Sequence, residues 1–303
     1  MSVIVKILKD GSIKASKFSS VFVNGLRYAS CESSQKKKYM HIECKVALIT
    51  GGTSGIGLAA AHELLCQKAK LVVISGIDDK QGKEAEKKLK SDHGDDRCCY
   101  VPLNVKDYKR FEEVVKQIQC DHESIDILFN NAGILNDKKW EDTIDINVKA
   151  LIFGTFLANK YMPKNPQKGG CVINNASILG FDTFAYAPIY NCSKHAVVGF
   201  TKALGAPVHF KKNNVRIIAL CPGVTETVLV NESGDKQLTD DWGKKTIEAL
   251  KSLPVQTIEA TGKAVAYMVR YAPPGTLWPC EGHVLYQATP PDRKSYSKKV
   301  LDV

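Results

Sequence analysis

From residue 45 onward, short apolar runs alternate with longer stretches of helical spacing. KVALIT (45–50), KLVVIS (70–75), CCYVPLNV (98–105), IDILFNNAG (125–133), GCVINNAS (170–177) and VRIIALCPG (215–223) each read as a strand. Between them, GIGLAAAHELLCQKA (55–69), the charged 78–92 and YKRFEEVVKQIQCDH read as helices. Strands that are apolar on successive residues must be covered on both faces. Joining parallel strands by right-handed helical crossovers then gives an α/β fold: a doubly wound parallel sheet with helices on both faces, in a single domain over 45–289.

Composition narrows the function classes. The net charge of +10 invites a nucleic-acid reading until it is located. Residues 1–44 carry eight Lys or Arg against three acids, and the basic tail 290–303 carries four against two. The body between them is nearly neutral, so no nucleic-acid partner is expected. No run of eighteen apolar residues spans a bilayer, so no transmembrane segment is expected. The ten Cys are scattered, with no CxxC and no Cys/His cluster at metal-ligand spacing. They read as reduced thiols of a cytoplasmic protein without a metal. The basic, Ser-rich segment 1–44 fits three readings: a disordered extension, an artefact with Met40 as the true initiator, or a transit peptide for mitochondrial import.

Two stretches carry chemistry. ITGGTSGIG joins the first strand to the first helix and spaces Gly51, Gly55 and Gly57 as G-x3-G-x-G. Glycines let backbone approach a pyrophosphate, and the helix N-terminus offers unpaired N–H groups and a positive dipole end. The ending lacks the Lys-Ser/Thr of a nucleoside-triphosphate loop. The acid expected at the end of the second strand is displaced: the strand ends Ser75-Gly76-Ile77, then Asp78. No Arg stands there to clamp a 2′-phosphate, which favours NAD over NADP.

The other stretch is NNASILGFDTFAYAPIYNCSK (174–194). Pro188 suits the first turn of a helix, on which Tyr190 and Lys194 share a face. A phenol ionises near pH 10, and using it as a base at neutrality requires roughly 3–4 kcal/mol of help. A neighbouring ammonium supplies such help. Ser177, ending the fifth strand, sits where strand ends converge. His62 lacks the second His of a zinc-binding helix. Cys192 reads as a small buried residue, Trp140 as core, and His195 as packed or on the surface.

TGGTSGIG (50–57), NNAG (130–133), Asn147, Ser177, YNCSK (190–194) and PGVTET (222–227) together resemble the short-chain dehydrogenase/reductase family, classical type, whose fold is Rossmann-type. Other stretches are similar to two of its branches, the NAD-dependent 15-hydroxyprostaglandin dehydrogenases and the insect-type alcohol dehydrogenases. The resemblance implies a catalytic set of Asn147, Ser177, Tyr190 and Lys194. It implies that Gly51, Thr53, Ser54, Gly55, Ile56, Gly57, Ser75, Asp78, Asn104, Val105, Asn131, Ala132 and Gly133 contact the cofactor. Tyr190, Lys194, Pro222, Gly223, Thr225 and Thr227 complete that set. Ser177, Leu179, Tyr186, Ala187 and Tyr190 are expected to face substrate, with residues 228–253 as a lid. Ser75 stands where those two branches usually have Asp, and Asn104 where the family usually has Asp. The implied activity is oxidation of a hydrophobic secondary alcohol, or reduction of its ketone, by a homodimer or homotetramer. The competing reading is a non-catalytic NADH-binding or storage protein on the same fold.

Overall fold

A computed structural model describes residues 19–23, 26–30, 37–163, 169–291 and 293–295. The strands are β1 (Ser19–Val23), β2 (Leu26–Ser30), β3 (Val46–Thr50), β4 (Leu71–Gly76), β5 (Cys98–Pro102), β6 (Ile127–Asn130), β7 (Gly170–Asn175), β8 (Val215–Pro222), β9 (Val224–Thr225), β10 (Val255–Gln256), β11 (Leu277–Glu281) and β12 (Val284–Leu285). The helices are α1 (Gly55–Cys66), α2 (Asp79–His93), α3 (Tyr108–His122), α4, α5 (Pro188–Leu204), α6 (Pro207–Asn213), α7 (Val228–Asn231), α8 (Asp240–Lys251) and α9 (Ile258–Tyr271). Helix α4 runs through Trp140–Ile144, a π-helical turn Asp145–Ala150, and Leu151–Tyr161.

The sheet order is β1-β2-β12-β11-β8-β7-β6-β3-β4-β5. The seven strands from β11 to β5 are mutually parallel, as the pattern of apolar runs requires. Order reverses at β3: the chain steps outward to β4 and β5, then returns to lay β6 on the other side of β3. Strand β3 is buried throughout, and its side chains alternate between two cores. Ala47 and Ile49 pack with Leu64 of α1, Leu89 of α2 and Val265 of α9. Val46 and Leu48 pack with Phe111 and Val115 of α3 and Leu157 of α4. Period-two alternation thus explains why a strand of five apolar residues needs helices on both sides.

The seventh parallel strand, β11, was not among the six expected. LWPCE is short and contains Pro279, which hides its strand character. Ordered packing also begins before Lys45: Tyr39 N–H donates to Arg270 O at 2.7 Å, and Met40 and Ile42 lie in the core. Strands β1 and β2 pair antiparallel, and β2 continues the sheet beside β12. The readings offered for the rest of the segment before residue 37, and for the end of the tail, fall outside the described residues. Two smaller expectations reverse. Trp140 is 54% exposed and Cys192 is exposed, because their sides of α4 and α5 face away from the sheet.

One buried charge locks β8 to α9. Arg216 is 2% exposed, and its guanidinium donates to Met268 O at 3.3 Å, Ala272 O at 2.7 Å and Val269 O. These carbonyls belong to the last turn of α9 and its end, where helix carbonyls have no partner of their own. Tyr39 covers the guanidinium, with its ring centroid 4.9 Å away. Arg216→Leu strands those carbonyls in an apolar setting. Urea denaturation is expected to read a loss of about 2–4 kcal/mol.

Candidate active site

Where strand order reverses, helices leave β3 and β6 toward opposite faces, so neither helix covers the crevice at their C-terminal ends. A cleft of about 660 Å³ opens there. Thr50, the last residue of β3, closes its base: Thr50 Oγ1 accepts from Asn131 N at 3.0 Å and Ala132 N at 3.1 Å. Asn131 Nδ2 donates back to Thr50 O at 3.0 Å and Gly51 O at 2.8 Å.

The glycine loop forms the floor. Gly55 sits at φ +51°, and a Cβ there would lie 3.2 Å from the Thr227 methyl across the cleft. A Cβ on Gly57 would run into Gly51 O and Asn131 Nδ2. Helices α2 and α3 are capped by their own Asp78 and Asp107. Helix α1 is different: Ser54 makes no side-chain cap and the first turn holds no acid. Its N-terminus therefore presents backbone N–H groups and the positive dipole end to the cleft, a fit for a pyrophosphate.

Of the residues expected at the cofactor, Gly51, Thr53, Ser54, Gly55, Ile56, Asp78, Asn104, Val105, Asn131, Ala132, Gly133, Tyr190, Lys194, Pro222, Gly223, Thr225 and Thr227 line this cleft. Gly57 supports the turn from behind. Ser75 does not reach the cleft: it is fully buried, with its hydroxyl 3.4 Å from Ile49 O. Successive strand residues point to opposite faces, so Ser75 turns inward and Gly76 and Ile77 line the edge instead. Among the expected substrate residues, Ser177, Leu179 and Tyr190 line the cleft, and Tyr186 and Ala187 do not. Ala187 is fully buried in a small core with Leu135, Leu179 and Tyr190. Tyr186 turns toward α8, with Lys245 Nζ 5.7 Å from its ring. The apolar wall comes instead from Leu135 and from the segment 228–253, through Val228, Leu229, Val230, Leu250 and Leu253.

Ser177, Tyr190 and Lys194 converge on that wall. Tyr190 is 8% exposed, and the Ser177 side chain hydrogen bonds its hydroxyl. Lys194 Nζ donates to Asn175 O at 2.8 Å and lies 5.4 Å from the Tyr190 ring centroid. Asn147, on the π turn, sits behind them. It pairs with the Ile134 backbone in both directions at 2.8 Å and donates to Ser193 Oγ at 3.1 Å. Gly133 keeps the space between them open: a Cβ there would lie 3.2 Å from Asn147 Oδ1 and 3.8 Å from Lys194 Nζ.

The electrostatics differ from the expectation that Lys194 lowers the Tyr190 pKa. Burial dominates both groups. It pushes the Tyr190 hydroxyl up to about 12, against a downward pull from the Ser177 hydrogen bond. It brings the Lys194 amine down to about 8.

Asp137 was not foreseen. Residue Ala187 precedes α5 and has no side chain to cap it. Asp137, from the loop after β6, caps the helix from outside: its carboxylate accepts from Ile189 N at 2.8 Å and Tyr190 N at 3.0 Å. It is fully buried, which raises its pKa against the pull of those two N–H groups. A cap fifty residues away in sequence leaves no local signature.

A family model described as short chain dehydrogenase matches residues 45–238. The chain belongs to the short chain dehydrogenase family, a family of oxidoreductases. The mouse protein 15-hydroxyprostaglandin dehydrogenase [NAD(+)] is 35% identical over 199 residues, covering 65% of this chain and 73% of that one. Alcohol dehydrogenase 2 of Ceratitis capitata is 30% identical over 252 residues, covering 83% and 96%. The crystal structure of levodione reductase superposes with a TM-score of 0.70 at 24% identity, over 79% of this short-chain dehydrogenase and 97% of that chain. That last likeness speaks for the fold alone.

Two measurements check this site. Lys194 titrates near 8 when folded and near 10.5 when unfolded. Between those values the unfolded chain holds the extra proton, so folding stability should rise with pH. Relative to Lys194→Met, the wild type is expected to gain on the order of 2–3 kcal/mol from pH 8 to 10.5, read by denaturation at each pH. Asp137→Ala removes two helix-cap bonds and is expected to cost about 1–2 kcal/mol in the same assay.

Proposed function

We propose that this protein is an NAD-dependent oxidoreductase that interconverts a hydrophobic secondary alcohol and its ketone, with Tyr190 as the acid/base. The observation that carries the reading is the convergence of Ser177, Tyr190 and Lys194 beside an uncapped helix N-terminus, in a cleft with an aliphatic wall. NAD supplies hydride exchange when bound. The α1 N-terminus would hold its pyrophosphate, and Asp78 stands at the cleft edge where a ribose hydroxyl can be met. NAD is preferred to NADP because no Arg lines the cleft among the described residues, and Lys106 is engaged with Asp142 at 2.7 Å. The NAD(+) in the names of the mammalian relatives supports the same preference.

In this reading Ser177 and Tyr190 hold the substrate oxygen between two hydroxyls. Tyr190 takes the alcohol proton on oxidation and returns it on reduction. A buried amine titrating near 8 gives and accepts a proton easily near neutral pH, so Lys194 serves as a relay behind the phenol. Asn147, fixed by Ile134, anchors the far side of that relay. The aliphatic lid suits an apolar substrate and excludes water.

Residues 45–289 are taken as the enzyme unit. A homodimer or homotetramer through α4 and α5 is supported by Phe156, 53% exposed and edge-on to Phe200 at 6.1 Å. Among the described residues no helix is long and apolar enough to cross a membrane. A cytoplasmic location is supported by described cysteines that are all free thiols.

Tyr190→Phe is expected to cut turnover about 10²–10⁴-fold on a panel of aliphatic, terpenoid and steroid alcohols. NADH binding, followed by nucleotide fluorescence, should be unchanged. Equal turnover in the variant would end the mechanism. NADH binding without wild-type turnover on any panel member would favour the storage reading.

A further inference from the structure

Outside the cleft, the C-terminal ends of α1 and α2 bring together His62, Cys66 and His93. His62 and Cys66 are one turn apart on α1 and share a face, and His93 is the last residue of α2. One donor atom from each lies within 4.8 Å of the other two. Cys66 Sγ is 3.6 Å from His62 Nδ1, and the two imidazoles meet edge-on with centroids 4.7 Å apart. Tetrahedral zinc, with bonds of about 2.0–2.1 Å to nitrogen and 2.3 Å to sulfur, sets neighbouring N and S donors about 3.5 Å apart. The His62–Cys66 edge already has that length.

The surroundings suit a cation. His93 Nε2 is buried without a hydrogen-bond partner. The carboxylates of Glu63 and Asp92 act on Cys66, and that of Glu259 lies near His62. Arg97 opposes them, but its guanidinium is committed to Leu65 O and Ala69 O. His62 and Cys66 are exposed, so a fourth position is open to water.

We infer that His62, Cys66 and His93 form a three-ligand zinc site that staples α1 to α2. The sequence hides it because the second imidazole comes from another helix. At their other ends the same two elements are already tied: Thr53 Oγ1 donates to Gln81 Oε1 at 2.8 Å beside the cleft. Zinc closes the opposite end of this helix pair, so it stabilises the fold around the nucleotide cradle and takes no part in turnover. The site stands independently of the oxidoreductase reading.

The test uses the full chain, freed of metal by chelator and kept reduced. Calorimetry with Zn²⁺ should give one tight site per chain, and a hundredfold excess over Kd should raise Tm by about 5 °C or more. Co²⁺ in place of zinc should give a thiolate-to-cobalt charge-transfer band with tetrahedral ligand-field absorption. Cys66→Ser should abolish the charge-transfer band, and His62→Gln and His93→Gln should each weaken zinc at least tenfold. These side chains sit at helix ends near the surface, and circular dichroism will verify that each variant folds. No stoichiometric site in the wild type, or unchanged zinc affinity in all three variants, would overturn the inference.

Discussion

Two adjacent strands that send their helices to opposite faces leave their shared end uncovered by either helix, and the candidate active site is gathered at that gap. The reversal between β3 and β6 is a consequence of right-handed crossovers running outward and then back. It needs a clasp, because two strand ends diverging into loops would leave backbone donors and acceptors unpaired. Thr50 and Asn131 provide it through mutual hydrogen bonds. With the clasp set, the glycine loop, the end of β7 and residues 227–230 all face one crevice.

The chemistry of that crevice depends on burial as much as on proximity. A Lys and a Tyr enclosed together each resist charge, so the amine titrates low and the phenol high. The phenol is thereby held protonated, while the proton on the amine is loosened. Helical spacing alone credits the ammonium with direct control of the phenol. The structure puts the amine on the Asn175 carbonyl and makes desolvation the larger effect.

Much of the fold was legible because strand burial is written as uninterrupted apolar runs. KVALIT and VRIIALCP need no context to be read. Strand β11 was not legible, since Pro279 masks its pattern and its parallel partner β8 lies sixty residues upstream. At the site, spacing alone put Tyr190 and Lys194 on one helix face and the glycines at the first turn. It did not give the direction of single side chains: Ser75 faces inward, and Tyr186 faces α8. Nor did it give tertiary partners. Asp137 acts on a helix that begins fifty residues later, and His93 meets His62 only because two crossover helices end side by side. Such pairings live in topology, where a linear pattern has no purchase.

Asp137 also has a neighbour with a second duty. Lys138 N–H donates to Lys236 O at 3.2 Å, and its amine donates to Asp235 O at 3.0 Å, in the turn between α7 and α8. Two consecutive residues thus moor α5 and the turn between α7 and α8 to the same short stretch of chain. In the proposed mechanism, a change that shifts residues 235–236 would pull on the loop whose Asp137 holds the amide of Tyr190, which would couple selectivity to catalytic competence.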